Sequence, residues 1–143
     1  MQVIHILREK GRDIVTIAPE ATLAEAARLL ARKRIGALLI RDQAGGVAGI
    51  LSERDVVRAI SEESVPALGK PVSAYMTREV LTCTHSDSID ELRELMTHRR
   101  FRHVPVLEAG KLVGIISIGD VVKSYIAEAE REAENLREYI ATG

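Results

Sequence analysis

Apolar residues recur at helical spacing in several short stretches of this chain. Residues 3–10 place apolar side chains on one face and are followed by Gly11, so they predict a short helix. Thr22, with Glu25 three residues later, is typical of a helix N-terminus, and the apolar positions that follow predict an amphipathic helix. A further helix is predicted to begin after Ser52.

Shorter apolar runs between these helices predict strands. Residues 35–40 contain almost no polar side chain, which indicates a strand that is covered on both faces. Turn-forming residues at 44–46 separate this run from the next one and predict a hairpin. The predicted strands of the first half are residues 13–17, 35–40 and 47–51.

The same order of elements occurs twice along the chain. The segment GILSERD at residues 49–55 returns as GIISIGD at residues 114–120, and each segment joins an apolar run to a predicted helix. The helices of the second half are predicted to follow Ser88 and Ser117. Its other predicted elements are strands at residues 80–83, 101–107 and 112–116, a short leading helix at residues 72–76, and a linker before it at residues 61–70. Each half therefore predicts a β-α-β-β-α unit, and two such units indicate pseudo-twofold symmetry with a cleft between the halves.

Composition narrows the class of protein. The 143 residues are 46% hydrophobic and 29% charged, which is enough for the core of one compact domain. A net charge of −1 and an aromatic content of 3% disfavour nucleic-acid binding. The chain shows no apolar run long enough for a membrane span, no secretory signal and no metal-ligand spacing. The lone Cys83 fits a reducing compartment, so we expect a cytoplasmic protein without a membrane segment or a metal site.

The predicted C-terminal helix continues far beyond its counterpart in the first half. Its apolar residues are spaced alternately by four and three positions, which is a heptad pattern. They are Val122, Ile126, Ala129, Ala133, Leu136 and Ile140. Two interpretations stay open: the helix lies on its own domain, or it pairs with a second copy in a dimer.

Each repeated segment ends in Ser-x-x-Asp at the start of a helix. One interpretation is structural, because a serine and an acid at this spacing form a capping box. The other is functional, because a helix N-terminus and a serine hydroxyl suit a phosphate, whereas an ionised aspartate accepts hydrogen bonds from a diol such as ribose. A phosphate together with a diol describes a nucleotide.

Two basic residues enter the apolar strand that is predicted at residues 101–107. Arg102 and His103 are therefore expected to point into a polar cleft and to contact phosphate. Arg99 and Arg100, in contrast, are expected to lie at a solvated helix end. Cys83 is expected to be a small buried hydrophobe and not a nucleophile.

The ordered set of motifs resembles the CBS domain pair, or Bateman module. The resemblance rests on the two G-h-h-S-x-x-D segments (h is apolar), on residues 75–77 and 80–82, and on residues 101–106. It implies an α/β (α+β) fold in which two β-α-β-β-α repeats pack with pseudo-twofold symmetry, here with an extended C-terminal helix. It also implies regulatory binding of an adenosine compound, namely AMP, ADP, ATP, NAD(H) or S-adenosylmethionine, without catalysis.

The resemblance also implies the residues of two clefts, each built from both repeats. In one cleft Asp120 would bind ribose and Ser117 a phosphate or sugar oxygen. In the other, Asp55 and Ser52 would take those roles, with Arg54 as a phosphate ligand and Gly119 as its smaller counterpart. The remaining expected nucleotide-binding residues are Thr16, Ile17, Ala18, Gly36, Ala37 and Ile115 for the first cleft, and Ile50, Thr82, Arg102, His103 and Pro105 for the second.

We accordingly expect a regulatory adenine-nucleotide-binding module that forms a homodimer and acts on a protein partner not identified by the sequence. The expected divisions are residues 1–65 for the first repeat with its leading helix, 66–126 for the second, and 127–143 for the helical extension. The alternative is a dimeric interaction scaffold with vestigial nucleotide sites. An enzyme is disfavoured because neither Ser-x-x-Asp has an evident general base or metal cluster beside it in the sequence.

Overall fold

The computed structural model of the protein describes residues 1–99 and 101–142. The described elements, in chain order, are α1 (Val3–Lys10), β1 (Thr16–Ile17), α2 (Leu23–Lys33), β2 (Ala37–Arg41), β3 (Val47–Ser52), α3 (Glu53–Glu63), α4 (Ile89–Arg99), β4 (His103–Glu108), β5 (Lys111–Ser117) and α5 (Ile118–Thr142). The mixed α/β fold and the long C-terminal helix agree with the expectation from sequence.

The first half forms a three-stranded sheet in the order β1-β2-β3. Strand β1 is parallel to β2, and β3 returns antiparallel through a hairpin whose Gly45 has φ +87°. Helix α2 begins at Thr22, whose hydroxyl accepts the Glu25 N–H at 3.2 Å, and the Glu25 carboxylate accepts the Thr22 N–H. The predicted capping box is therefore present, and it fixes where the first amphipathic helix starts.

The second half has the antiparallel pair β4-β5, joined by a turn at Ala109 and Gly110, which both have positive φ. The strand predicted at residues 80–83 is wrong: this segment touches β4 only through an isolated bridge from Cys83 to Val106. Two backbone hydrogen bonds hold that bridge, and a single bridge does not extend to a ladder. The second sheet is consequently one strand smaller than the first.

Two hydrophobic cores lie side by side, and each draws on the segment that precedes the other repeat. The apolar side chains of α1, including Leu7, pack in the core of the second half. Ala67 and Val72, which follow the first repeat in sequence, pack in the core of the first half. Leu7 lies so close to β5 that a Cβ on Gly114 would stand 2.7 Å from its side chain, so a larger residue there would displace Leu7. The leading segments thus cross between the halves and tie them together.

The connection between the halves is more structured than the sequence predicts. Residues 61–70 do not form an irregular linker, because α3 continues to Glu63 and a 3₁₀ helix follows at Val65–Gly69. Pro66 near its start favours such a tight turn. The short helix expected at residues 72–76 is a 3₁₀ turn limited to Val72–Ala74. Both segments lie over the first core, and this packing explains why they form regular 3₁₀ turns.

Helix α5 leaves the body of the domain and carries its apolar seam into solvent. Val121 near its start is buried, but the heptad positions beyond it are largely exposed. The exposed fractions are 50% for Val122, 54% for Ile126, 60% for Leu136 and 74% for Ile140. The chain's own domain therefore does not cover this seam. Within the described residues, none of the helices combines the length and apolarity needed to cross a bilayer.

Candidate functional site

The two Ser-x-x-Asp segments adopt the same geometry at equivalent helix starts. The Asp55 Oδ2 atom accepts the Ser52 N–H at 2.8 Å, and Asp120 Oδ2 accepts the Ser117 N–H at 2.9 Å. In return, each serine Oγ accepts the N–H of its aspartate. Both copies are therefore true capping boxes. The structural and functional interpretations are compatible, because the caps hold the serine and the aspartate at the mouths of two clefts.

The backbone before each helix is held by the neighbouring strand of the same sheet. The Glu53 N–H donates to the Gly36 carbonyl at 3.0 Å, and the Ile118 N–H donates to the Arg102 carbonyl at 2.8 Å. These equivalent bonds fix the start of α3 beside β2 and the start of α5 beside β4. Each helix N-terminus, with its partial positive charge, is thereby fixed in the fold.

The first cleft, which we call the Ser117 cleft, has a volume of about 270 Å³. It combines side chains of both repeats: the first supplies one wall and β5 the other. Its lining residues are Lys10, Asp13, Ile14, Val15, Ile35, Gly36, Ala37, Leu39, His103, Ile115 and Ser117. A largely apolar lining with a few polar groups suits a flat base with a polar substituent.

An ion pair between Lys10 and Asp120 stands at the Ser117 cleft. The Lys10 ammonium donates to Asp120 Oδ2 at 2.5 Å and to the Ile115 carbonyl at 2.8 Å. Burial alone would raise the pKa of the Asp120 carboxyl, but the hydrogen bonds from Lys10 and from the Ser117 backbone outweigh it and leave that pKa below its ordinary value. Asp120 is therefore ionised at neutral pH and can accept hydrogen bonds.

The second cleft, which we call the Ser52 cleft, has a volume of about 390 Å³ and a different charge. It is lined by Gly36, Ile50, Ser52, Glu53, Arg54, Asp55, Thr77, Arg99, Phe101, Arg102 and His103. Three arginines face it, against two carboxylates. Asp55 is buried at 8% exposure, and its second oxygen lies 3.6 Å from Arg58. The excess of guanidinium groups makes this the more anion-attracting cleft.

Gly36 and His103 form the wall that the two clefts share, since both residues line both cavities. Burial, together with the nearby positive charges of Lys10 and Arg102, lowers the pKa of the His103 imidazole, whereas Asp120 and Glu53 oppose the shift. The ring is consequently mostly neutral at pH 7, and it can offer either a donor or an acceptor to each cleft.

The structure brings most of the expected site residues to these two clefts. Gly36, Ala37, Ile115 and Ser117 line the Ser117 cleft, with Asp120 attached through Lys10. Those that line the Ser52 cleft are Ile50, Ser52, Arg54, Asp55 and Arg102, while His103 lines both. Arg99, expected at a solvated helix end, also lines the Ser52 cleft. Arg100 lies outside the described residues.

Three expected residues of the Ser117 cleft lie elsewhere. Thr16, Ile17 and Ala18 line a separate open hollow of about 540 Å³ beside Arg41. The reason is the parallel register, in which Thr16 pairs with Leu39. Because β1 and β2 run in the same direction, the residues just before β1, at positions 13–15, lie beside the start of β2, where the cleft is. Thr16 and the residues after it pair further along β2 and therefore lie farther from the cleft.

Three further expected residues also lie outside the two clefts. Thr82 is exposed and lies outside both clefts; Thr77, bridged to Ile50, takes the place expected for it. Pro105 is buried two residues further along β4 than His103, and its carbonyl accepts the Cys83 N–H. Gly119 is exposed and lines neither cleft.

Several residues that line the clefts were not expected from the sequence. Those of the Ser117 cleft are Lys10, Asp13, Ile14, Val15, Ile35 and Leu39, and those of the Ser52 cleft are Glu53, Thr77, Arg99 and Phe101. The parallel pairing of β1 with β2 is the signal that indicates residues 13–15, because it places them beside the start of β2. No local signal indicates Lys10, because it reaches the cleft only after α1 crosses to the second core.

Comparison with known proteins is consistent with this architecture. A CBS-domain containing protein from Agrobacterium tumefaciens superposes with a TM-score of 0.84 at 47% identity, covering 87% of this chain and 99% of that one. A CBS domain protein from Pyrobaculum aerophilum complexed with AMP superposes with a TM-score of 0.75 at 28% identity, covering 84% and 89%. An uncharacterized 17.7 kDa protein of Acidianus ambivalens is 33% identical over 114 residues, which are 79% of this chain and 68% of that one.

The family model of the CBS domain matches this chain twice, at residues 4–62 and at residues 72–127. The two matches fall on the two halves of the structure, and together they span most of the sequence. The chain therefore belongs to the CBS domain family, as a tandem pair with a helical extension.

Proposed function

We propose that this protein is a regulatory module that binds an adenine nucleotide in the clefts between its two CBS repeats and has no catalytic activity of its own. One observation carries the proposal: each cleft combines a capped helix start, an apolar isoleucine and a wall from the other repeat. The isoleucines are Ile50 and Ile115. The AMP complex of the similar Pyrobaculum aerophilum protein supports an adenosine ligand.

The charge of the Ser52 cleft favours a phosphorylated ligand. Arg54, Arg99 and Arg102 line it from two repeats, so their guanidinium groups can converge on one group of phosphate oxygens. Arg54 and Arg102 also line an adjoining groove of about 630 Å³. Space for a chain of phosphates therefore continues beyond the cleft, which suits ADP or ATP as well as AMP.

Other groups of the Ser52 cleft suit the rest of a nucleotide. Ile50 and Phe101 offer apolar and aromatic surface for the base. The Asp55 carboxylate is the acceptor that we assign to ribose hydroxyls, since it lines the cleft and ribose hydroxyls can donate to it. The groups needed for base, sugar and phosphate are thus present in one cavity of about 390 Å³.

A non-catalytic role accords with the bonding of the two serines. The Ser52 hydroxyl donates to Asp55 Oδ2 at 3.1 Å, and the Ser117 Oγ accepts the Asp120 N–H at 3.1 Å. Each serine Oγ also accepts the N–H of its aspartate, so both hydroxyls serve as helix caps. Incubation of each nucleotide with the purified protein, followed by ³¹P NMR, should show the nucleotide unchanged.

We propose further that the signal is transmitted through a homodimer in which α5 participates. Its exposed seam repeats every three or four residues, and in a parallel pair Glu132 of one copy would flank Arg137 of the other. Opposite charges at these flanking positions favour that pairing. A ligand that binds one arrangement of the dimer more tightly would shift its geometry.

A thermal-shift screen tests the proposed function. The purified chain is heated with increasing AMP, ADP, ATP, NAD, NADH or S-adenosylmethionine, because a ligand specific for the native state raises the melting temperature with its concentration. We expect a concentration-dependent rise with at least one of these compounds. Unchanged melting with all of them would favour the alternative, a dimeric scaffold with vestigial nucleotide sites.

A further inference from the structure

Lys10 occupies a position that neither its own repeat nor the helix caps explain. It is the last residue of α1, and the preceding turn of this helix is fixed by Leu7, which packs against β5 at Gly114. Gly11 then ends the helix with φ +89°. Lys10 is consequently held beside Ile115, the residue after Gly114, with its ammonium inside the Ser117 cleft.

The partner of Lys10 is the carboxylate that the proposed function needs for ribose. The ammonium lies 2.5 Å from Asp120 Oδ2, and both side chains are partly buried, with 30% and 22% of their surface exposed. A ribose diol that hydrogen-bonds to Asp120 shares this carboxylate with Lys10 and weakens their ion pair. Leu7 anchors α1 in the second core, so the Lys10 backbone stays beside the cleft and a displaced ammonium is within reach of a ligand there.

The fate of this ammonium depends on the charge of the ligand. A phosphate supplies a new anionic partner, so the displaced ammonium exchanges one ion pair for another. Neutral adenosine supplies none, and the cation of S-adenosylmethionine adds like-charge repulsion. A partly buried ammonium that loses its counterion is unfavourable. The Ser117 cleft should therefore discriminate between adenosine compounds by charge.

Building on the proposed function, we infer that Lys10 is the specificity-determining residue of the Ser117 cleft, which it makes selective for an adenosine monophosphate over neutral or cationic adenosine compounds. Lys10 pairs with Asp120 in the structure and binds the phosphate when ribose takes Asp120. The Ser52 cleft has no equivalent arrangement among its described lining residues, where arginines take the cationic role. The two clefts thus differ in how they recognise charge.

Calorimetric titration of the full chain with AMP, adenosine and S-adenosylmethionine tests this inference. The parent is compared with two variants. Lys10→Met removes the charge but has a side chain of similar length, and Lys10→Arg keeps the charge. In ¹⁵N–¹H spectra, the amides of Ile115 and Ser117 report on one cleft and those of Ile50 and Ser52 on the other. Lys111→Met is the matched control, because Lys111 is an exposed lysine at the start of β5 outside both clefts.

We expect Lys10→Met to weaken AMP binding at the Ser117 cleft by about tenfold or more, the loss typical of one hydrogen bond to a charged group. Adenosine and S-adenosylmethionine should bind as well as before or better, and Lys10→Arg should retain the preference for AMP. An unchanged ratio of AMP to adenosine affinity in Lys10→Met, or AMP shifts confined to Ile50 and Ser52, would overturn the role of Lys10. Failure of all three compounds to bind the parent would overturn the inference, whereas the proposed function would be overturned only if ADP, ATP, NAD and NADH also failed to bind.

Discussion

A Cβ atom placed on Gly36 would lie 3.8 Å from both Cε1 and Nε2 of the His103 imidazole. This is ordinary van der Waals contact, so the two residues meet where the clefts share a wall. The absence of a side chain on Gly36 leaves the ring edge accessible to both cavities. Neither cleft could keep its width if a large side chain occupied this position.

Gly36→Leu should consequently weaken nucleotide binding in both clefts. We expect at least a tenfold loss, about 1.4 kcal/mol, because a leucine side chain would fill the shared wall. Gly36→Ala is the control, since its methyl group fits at 3.8 Å. Calorimetric titration of both variants with AMP checks the expectation. Parent-like affinity in Gly36→Leu would show that the ligand does not reach this wall.

Asp120→Ala should weaken AMP binding at the Ser117 cleft more than it lowers stability. Loss of the cap and of a partly exposed ion pair costs about 1–2 kcal/mol of unfolding free energy. Ser88→Ala is the matched control, because Ser88 accepts the Glu91 N–H at the start of α4, away from both clefts. Urea unfolding and AMP titration of the two variants separate these effects. If Asp120→Ala bound AMP as tightly as the parent, Asp120 would not be part of the ribose site.

Local chemistry made much of the framework predictable. The capping boxes at Thr22, Ser52 and Ser117 depend on neighbouring residues only, so their spacing revealed the helix starts. The doubled G-h-h-S-x-x-D segment likewise revealed the two related halves. In both cases the physical cause lies within a few positions of the chain.

Non-local packing explains what the sequence did not reveal. Lys10 reaches the Ser117 cleft because α1 packs on the other half, and this crossing leaves no local pattern. Thr16 and Thr82 were misplaced because the residue of an edge segment that faces a cleft depends on strand direction and register. The segment around Cys83 does not form a strand for a related reason. Its pairing with β4 is limited to one bridge, from Cys83 to Val106.

The lowered pKa of His103 predicts a specific pH dependence of stability. The imidazole binds a proton less readily in the folded state than in the unfolded state, so its contribution is full above the ordinary pKa of 6.5 and is lost as pH falls toward the lower folded value. Urea unfolding from pH 8 to pH 5 should show a steeper loss of stability for the parent than for His103→Gln. If the unfolding free energies of the two proteins changed in parallel with pH, the burial of a neutral His103 imidazole would be contradicted. The other histidines are present in both proteins, so their effects cancel in this comparison.

Ala129→Glu should convert the dimer to a monomer if the α5 seam joins two copies. Ala129 occupies a central heptad position, and a charge there would be buried in the pair. Ala141→Glu introduces the same charge off the seam and should leave the dimer intact. Light scattering after gel filtration measures the mass of each variant. An unchanged mass for Ala129→Glu would exclude this seam from the interface.

Cys83 should react slowly with alkylating reagents while the protein is folded. Burial, together with the nearby carboxylates of Asp87 and Glu108, raises the pKa of its thiol to about 12. The thiolate fraction near pH 8 is then roughly a thousandfold below that of an ordinary cysteine. Mass spectrometry after iodoacetamide treatment should show modification in urea but little in buffer. Rapid labelling of the folded chain would contradict the placement of Cys83 in the second core.

Calorimetric titration of the purified parent chain with AMP tests directly whether the clefts bind a nucleotide, and inosine monophosphate is a matched compound that alters only the base. We predict saturable heat with AMP and a loss of that heat when Gly36→Leu narrows both clefts. Absence of saturable heat with AMP, with ADP and with ATP would contradict this prediction. The clefts would then be remnants of the fold, and the exposed seam of α5 would be the feature that remains to be explained.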